Sequence, residues 1–106
     1  MSRFSLPHLE PFLGGYFHQD WTLEAPDSGV VVTRFLKRAT PSKVRAIRRD
    51  VARLLSALPS EEALVTELSR MGCQVNFAVE GGSAAAWLRR LAVRLETAQA
   101  TMRRRS

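Results

Sequence analysis

The chain has 106 residues, 45% of them hydrophobic, and a formal net charge of +6 at pH 7. This length predicts a single domain, residues 1–106, that buries about 60–70% of the surface exposed by its unfolded chain. The single cysteine excludes an internal disulfide framework and fits a reducing cytoplasm. No stretch reaches about 18 apolar residues and no signal-peptide pattern is present, so we expect a cytoplasmic protein without a membrane span.

One stretch, residues 12–21, holds four of the eight Phe, Tyr and Trp residues of the chain beside a Gly-Gly pair. Aromatic side chains bury large apolar areas, which predicts that this stretch forms the centre of the core. Apolar spacing predicts a first helix over about residues 7–18, and Pro11 favours a start near Leu9 or Glu10. We expect Gly14 and Gly15 to admit a neighbouring helix.

Three more helices are predicted between residues 26 and 72. A second helix over about Pro26–Ala39 is preferred to a strand at residues 30–33, because no turn signal interrupts residues 34–38. Thr40 and Pro41 are typical of the start of a third helix, and Ser60 of the start of a fourth. Gly72 is expected to end the fourth helix in the left-handed backbone conformation that is common at this position.

The remaining residues predict one further helix. Residues 74–79 alternate weakly and are expected to form one short extended segment at most. Ser83 is typical of a helix cap, and the apolar stripe that follows it runs to Met102. Residues 103–106 are expected to form a short basic tail. The predicted fold is therefore an all-α, compact bundle of about five helices.

Groups that could catalyse a reaction are few. The chain contains no HExxH, CxxC, Gly-rich phosphate loop or GxSxG motif, so we expect no catalytic residue, no metal site and no cofactor. Cys73 and His18 could act as nucleophile and base. A lone cysteine among apolar residues is more often a small buried hydrophobe, which is the interpretation preferred here.

Basic residues concentrate in two segments. Residues 34–53 hold eight bases and one acid, and residues 83–106 hold six bases and one acid. These segments support an alternative function as a small helical binder of nucleic acid or another polyanion. Specific base recognition is not expected, since the third helix carries no aromatic, Asn or Gln residue among its arginines. The basic face of this alternative comprises Arg45, Arg48, Arg49 and Arg53, with Arg89, Arg90 and Arg94 as further candidates.

Residues 12–21, Phe-Leu-Gly-Gly-Tyr-Phe-His-Gln-Asp-Trp, closely resemble the signature of a family of bacterial contact-dependent growth inhibition (CDI) immunity proteins. Pro-Ser-Glu-Glu at 59–62, Gly-Cys at 72–73 and Ser-x-x-x-Trp-Leu at 83–88 follow the order of that family. The resemblance covers essentially the whole chain. It implies an all-α cytosolic protein that is not an enzyme and that binds a toxin domain, in some members a ribonuclease, to block its active site.

The shared stretch is expected to be mainly structural, with the toxin bound elsewhere. Its residues are Gly14, Gly15, Tyr16, Phe17, His18, Gln19, Asp20 and Trp21. An inhibitor of a cationic ribonuclease is expected to be acidic, whereas this chain is basic. Either the acidic segments form one local patch, or the toxin is itself acidic; the oligomeric state is left open. The predicted partner-binding residues are Glu24, Asp27, Glu61, Glu62 and Glu67.

Overall fold

A computed structural model describes residues 6–105 of the chain. A 3-10 turn, Trp21–Leu23, lies between the first two of its helices. No strand occurs among the described residues, which confirms the predicted all-α bundle of about five helices. The five α-helices are α1 (Leu9–Tyr16), α2 (Ser28–Arg38), α3 (Pro41–Ala57), α4 (Glu61–Arg70) and α5 (Ala84–Arg105).

Hydroxyl side chains cap three helices as predicted. In each case the side-chain oxygen accepts a hydrogen bond from the backbone N–H three residues later, which satisfies a donor that the helix itself leaves unpaired. The distances are 3.2 Å at Thr40, 3.1 Å at Ser60 and 3.1 Å at Ser83. Gly72 follows α4 with a φ of 88°, the left-handed conformation predicted for it.

Helix α2 is shorter than predicted at its amino end. It begins at Ser28 and not at Pro26, because Asp27 is its cap and accepts the Val30 N–H at 3.0 Å. The choice of helix over strand for residues 30–33 is confirmed. Val31 and Val32 are both buried in the helical conformation, so tertiary packing overrides the β propensity of three consecutive valines.

Residues 73–83 connect α4 to α5 without a strand. Of the short extended segment considered possible near residues 74–79, residues 77–79 form a turn and residues 74–76 pair with no neighbouring strand. The Gln74 N–H donates to Phe17 O at 2.8 Å, and Asn76 O accepts from the Val79 and Glu80 N–H groups. Residues 103–105, expected to be a basic tail, continue α5 as helix, and Ser106 lies outside the described residues.

The core lies between α3 and α5, which make the most extensive helix–helix contact. Helix α1 packs on α3, whereas α2 and α4 pack on α5. Phe17, just after α1, is fully buried and makes T-shaped contacts with the rings of Trp21 and Trp87, with centroids 5.5 Å and 5.4 Å away. The aromatic stretch therefore lies at the centre of the core, as its composition predicted.

Candidate functional site

The signature stretch uses one of its two adjacent glycines for close packing. A Cβ on Gly14 would lie 3.3 Å from the backbone oxygen of Met71, and a Cβ on Gly72 would lie 3.3 Å from the Gly14 Cα. A Cβ on Gly15 would have nothing within 4 Å. We expected both glycines to admit a neighbouring helix: Gly14 admits the carboxyl end of α4 at Met71, whereas no neighbouring atom lies close to Gly15.

The polar residues of the signature stretch stabilise the chain reversal after α1. His18 Nδ1 accepts the Asp20 N–H at 3.1 Å, and Trp21 Nε1 donates to Gln74 O at 3.1 Å. The Asp20 side chain makes no cap hydrogen bond to the following turn, so its backbone and not its carboxylate fixes the geometry. Gln19 is exposed, and the Tyr16 ring is 39% exposed at the edge of the core.

Two of the acidic residues predicted to bind a partner hold helix termini. Asp27 caps α2 through the Val30 N–H at 3.0 Å. Glu61, at the start of α4, accepts the N–H groups of Ala84 and Ala85 at 2.6 Å and 3.2 Å, and so caps α5. Their carboxylates line different surface depressions. Both residues are exposed, but their reversal would remove helix caps as well as surface charge.

The other three acidic candidates make different contacts. Glu24 lies 3.7 Å from His18 Nε2, and Glu67 accepts hydrogen bonds from the Arg70 guanidinium at 2.5 Å and 3.0 Å. The Glu67 carboxylate raises the pKa of Arg70 through this hydrogen bond. Glu62 is exposed. Among the five candidates, Glu24 and Glu62 are therefore the ones whose replacement disturbs the fold least.

A cationic groove runs between the two longest helices. Its volume is about 580 Å³, with arginines on one wall and an apolar floor. We call it the α3–α5 groove, lined by Arg45, Arg48, Arg49, Val51, Ala52 and Leu55 of α3 and by Ala92, Val93, Glu96 and Gln99 of α5. Three of the four basic residues singled out from the sequence thus share one surface, and Arg53 lies outside the lining.

The arginines of the groove differ in what they contact. Arg48 reaches across to α5, where it donates to Gln99 Oε1 at 3.2 Å and lies 3.8 Å from the Glu96 carboxylate. Arg45 and Arg49 are exposed and make no ion pair among residues 6–105. Their spacing of four residues places them side by side on α3. This wall of the groove therefore offers two unpaired cations to an anionic partner.

Arg90 and Arg94, two of the further basic candidates on α5, bind segments outside the groove. Arg94 donates to Thr33 Oγ1 at 2.8 Å and to Gly29 O at 3.4 Å, both on α2. Arg90 donates to Glu80 O in the loop before α5. These two side chains fasten neighbouring segments and do not line the α3–α5 groove. Arg90 and Arg94 therefore do not extend the cationic wall of the α3–α5 groove.

A comparison with models of known protein families shows to which family the chain belongs. A family model described as CdiI immunity protein matches residues 5–95, which include the signature stretch and most of every helix. The chain belongs to the CdiI immunity protein family. Searches of curated proteins and of solved structures gave no match.

This CdiI family member uses distant carboxylates to begin helices, a feature that the sequence analysis missed. Asp50 of α3 is 3% exposed, and its Oδ2 accepts the N–H groups of His8 and Leu9 at 2.9 Å and 3.0 Å, which caps α1. The available signal was the position of Asp50, next to the inward-facing Val51 on the apolar stripe of α3. A buried acid there requires N–H donors.

Glu80 provides a second distant carboxylate. It accepts the Ser28 backbone N–H at 3.3 Å and the Ser28 hydroxyl at 2.7 Å, at the first residue of α2. Ser28 Oγ in turn accepts the indole N–H of Trp87 at 2.9 Å. The buried hydroxyl thus links α2, α5 and the loop between α4 and α5.

Other features relevant to chemistry are limited within residues 6–105. Cys73 is 5% exposed, and burial raises the pKa of its thiol to about 11, which disfavours the thiolate that a nucleophile requires. It is therefore the buried hydrophobe that the sequence predicted. In the described part of this CdiI family chain no cluster of His, Cys, Asp and Glu is suited to a metal ion, and no helix is apolar and long enough to cross a membrane.

Proposed function

We propose that this protein neutralises a cognate contact-dependent growth inhibition toxin domain by binding it in the cytoplasm, without catalysing a reaction. The observation that carries this proposal is the CdiI immunity family match over residues 5–95. A preformed surface binds at a lower entropic cost than one that must order on binding, and the densely packed core around Phe17 supports a preformed surface. We expect an interface of about 800 Å² on each partner, the usual size for a specific complex.

We propose that the toxin is a nuclease, and this activity is the first to test. Family resemblance in the signature stretch is the support for this choice, because some CDI immunity proteins inhibit ribonucleases. The gene directly upstream is expected to encode a large secreted toxin, and its terminal domain would name the activity. A nuclease is readily assayed by the integrity of cellular RNA and DNA after toxin expression.

The test is protection of a cell that produces the toxin. The terminal domain of the upstream toxin is expressed from an inducible promoter, with or without the full-length chain. We expect growth to be restored by this chain and not by an immunity protein of unrelated sequence. Purified toxin domain and chain are expected to elute together on gel filtration. Growth arrest despite abundant chain, together with separate elution, would refute the proposed function.

The acidic residues remain one proposed toxin-binding surface. Because Asp27 and Glu61 cap helices, their reversal would confound loss of binding with loss of stability. Glu24→Lys combined with Glu62→Lys is the cleaner variant, since both residues are exposed and cap no helix through their side chains. Loss of protection with an unchanged melting temperature would support an acidic interface, and full protection would exclude these two residues from it.

A further inference from the structure

The α3–α5 groove points to a specific partner surface. We infer that it docks an acidic surface of the cognate toxin domain, carboxylate side chains arranged around an apolar centre, so that Arg45 and Arg49 pair with carboxylates across the interface. This inference rests on the proposed function and assigns its contact surface. It is the alternative to the acidic interface that Glu24→Lys with Glu62→Lys tests, since the groove lining contains none of the five acidic candidates.

The arginines of α3 repel one another along the helix, which lowers its stability in the isolated protein. Arg45, Arg49 and Arg53 follow one another at intervals of four residues, so like charges are adjacent along one side of α3. Like charges at this spacing destabilise a helix. No carboxylate among residues 6–105 pairs with Arg45 or Arg49. An acidic partner would relieve this repulsion and would add charge-assisted hydrogen bonds with the fixed geometry of guanidinium groups.

Apolar residues form the floor of the groove between its charged side chains. Val93 is 59% exposed, Ala52 is exposed, and Leu55 and Ala92 are half-buried, all along the same groove. An apolar centre with a polar rim is the usual anatomy of a protein–protein interface, where arginine is enriched. Helix residues with small side chains also permit close approach of another chain. The floor therefore suits a protein surface with at least one protruding apolar side chain.

The same features argue against nucleic acid as the occupant. The lining contains no aromatic residue on which a base could stack. Its floor is apolar, whereas a phosphate backbone presents charge along its whole length. The Glu96 carboxylate also lines the groove and would repel a phosphate beside Arg48. A protein partner can place an apolar or hydrogen-bonding side chain at that point instead.

The experiment compares two charge reversals in the full-length chain against the terminal domain of the upstream toxin. Arg45→Glu with Arg49→Glu alters the groove. Lys37→Glu with Lys43→Glu is the control, because it changes the net charge equally at exposed positions outside the groove. We expect the groove variant to bind at least about 100-fold more weakly by calorimetry, as close charge pairs across an interface contribute strongly, and the control to bind within about threefold of wild type.

Circular dichroism and thermal melting establish that each variant is folded. If the groove reversal does not fold, Arg45→Ala with Arg49→Ala replaces it, since alanine favours the helix, and a loss of about tenfold is then expected. Wild-type binding is also expected to weaken as salt rises from about 50 mM to about 500 mM, more steeply than that of the groove variant.

The outcomes separate the two proposals. Wild-type affinity in the folded groove variant would overturn the inference and leave the proposed function standing. Equal losses in the groove variant and the control would overturn it too, because net charge and not the groove would then be responsible. Groove-dependent binding of single-stranded DNA or heparin with unaltered toxin binding would assign the groove to a polyanion. If the wild-type chain neither binds nor protects against the toxin, the proposed function falls and the inference falls with it.

Discussion

Replacing Asp50 with alanine tests the role of the distant carboxylate that caps α1. Asp50 Oδ2 lies 2.9 Å and 3.0 Å from the N–H groups of His8 and Leu9, in a site where the side chain is 3% exposed. A hydrogen bond to a charged group contributes about 1.5–3 kcal/mol, and an orphaned buried N–H costs a similar amount. Allowing for partial access of water, Asp50→Ala is expected to lower the free energy of unfolding by about 3–5 kcal/mol.

A loss of this size is a large part of the total stability of a small domain, which is about 5–15 kcal/mol. Asp50→Asn separates charge from hydrogen bonding, because an amide oxygen at the Oδ2 position keeps both acceptor contacts. Charge-assisted hydrogen bonds are about twice as strong as neutral ones, so we expect Asn to cost about 1–2 kcal/mol. Urea unfolding at pH 7, followed by circular dichroism at 222 nm, measures both changes.

Asp27→Ala is the matched control for the Asp50 variants. Asp27 also caps a helix, but it is exposed and accepts one N–H, so its removal is expected to cost about 1 kcal/mol. We expect Asp50→Ala to lower the free energy of unfolding most, and Asp50→Asn and Asp27→Ala to lower it less. If Asp50→Ala is no more destabilising than Asp27→Ala, the buried carboxylate does not stabilise α1 as the geometry implies.

Two further changes test packing and burial. Gly15→Ala is expected to stabilise α1 by up to about 1 kcal/mol, whereas Gly14→Ala is expected to destabilise by about 1 kcal/mol because its Cβ meets Met71 O at 3.3 Å; urea unfolding measures both. Burial raises the pKa of Cys73 from its ordinary value of 9.0 to about 11. Unfolding therefore releases a proton between these pH values. As pH rises from 9 to 11, the free energy of unfolding of wild type is expected to fall by up to about 2–3 kcal/mol relative to that of Cys73→Ala.

Clear outcomes would contradict each of these expectations. Equal effects of alanine at positions 14 and 15 would show that the close approach to Met71 relaxes without cost. For Cys73, the stability difference between wild type and Cys73→Ala is expected to be constant below about pH 9. A difference that stays constant up to pH 11 would show that the thiol ionises as readily in the folded protein as in the unfolded chain.

Local signals were sufficient to predict most of the fold. Thr40, Ser60 and Ser83 cap the helices predicted for them, because the N–H that each hydroxyl binds lies three residues away in the sequence. The left-handed Gly72 is predictable for the same reason. Asp50 and Glu80 were missed because the backbone groups they bind are more than 40 residues away, and no local pattern encodes that proximity.

The candidate site was predictable in part. Arg45, Arg48 and Arg49 were singled out by their concentration on one face of α3, and the structure places them on one groove. The apolar floor from α5 could not be predicted, because it depends on how α3 and α5 are rotated against each other. Sequence alone also could not separate Asp27 and Glu61, which cap helices, from the equally acidic Glu62, which does not.

The long-range carboxylate contacts make the helices depend on one another. Helix α1 begins on a side chain of α3, and α5, one wall of the groove, begins on a side chain of α4. A helix whose first turn is held by another element loses those hydrogen bonds when that element unfolds, which favours cooperative opening of the whole domain over local fraying. Proteases of the cell would then find few partly opened molecules to cleave, so that nearly every surviving copy presents an intact binding surface.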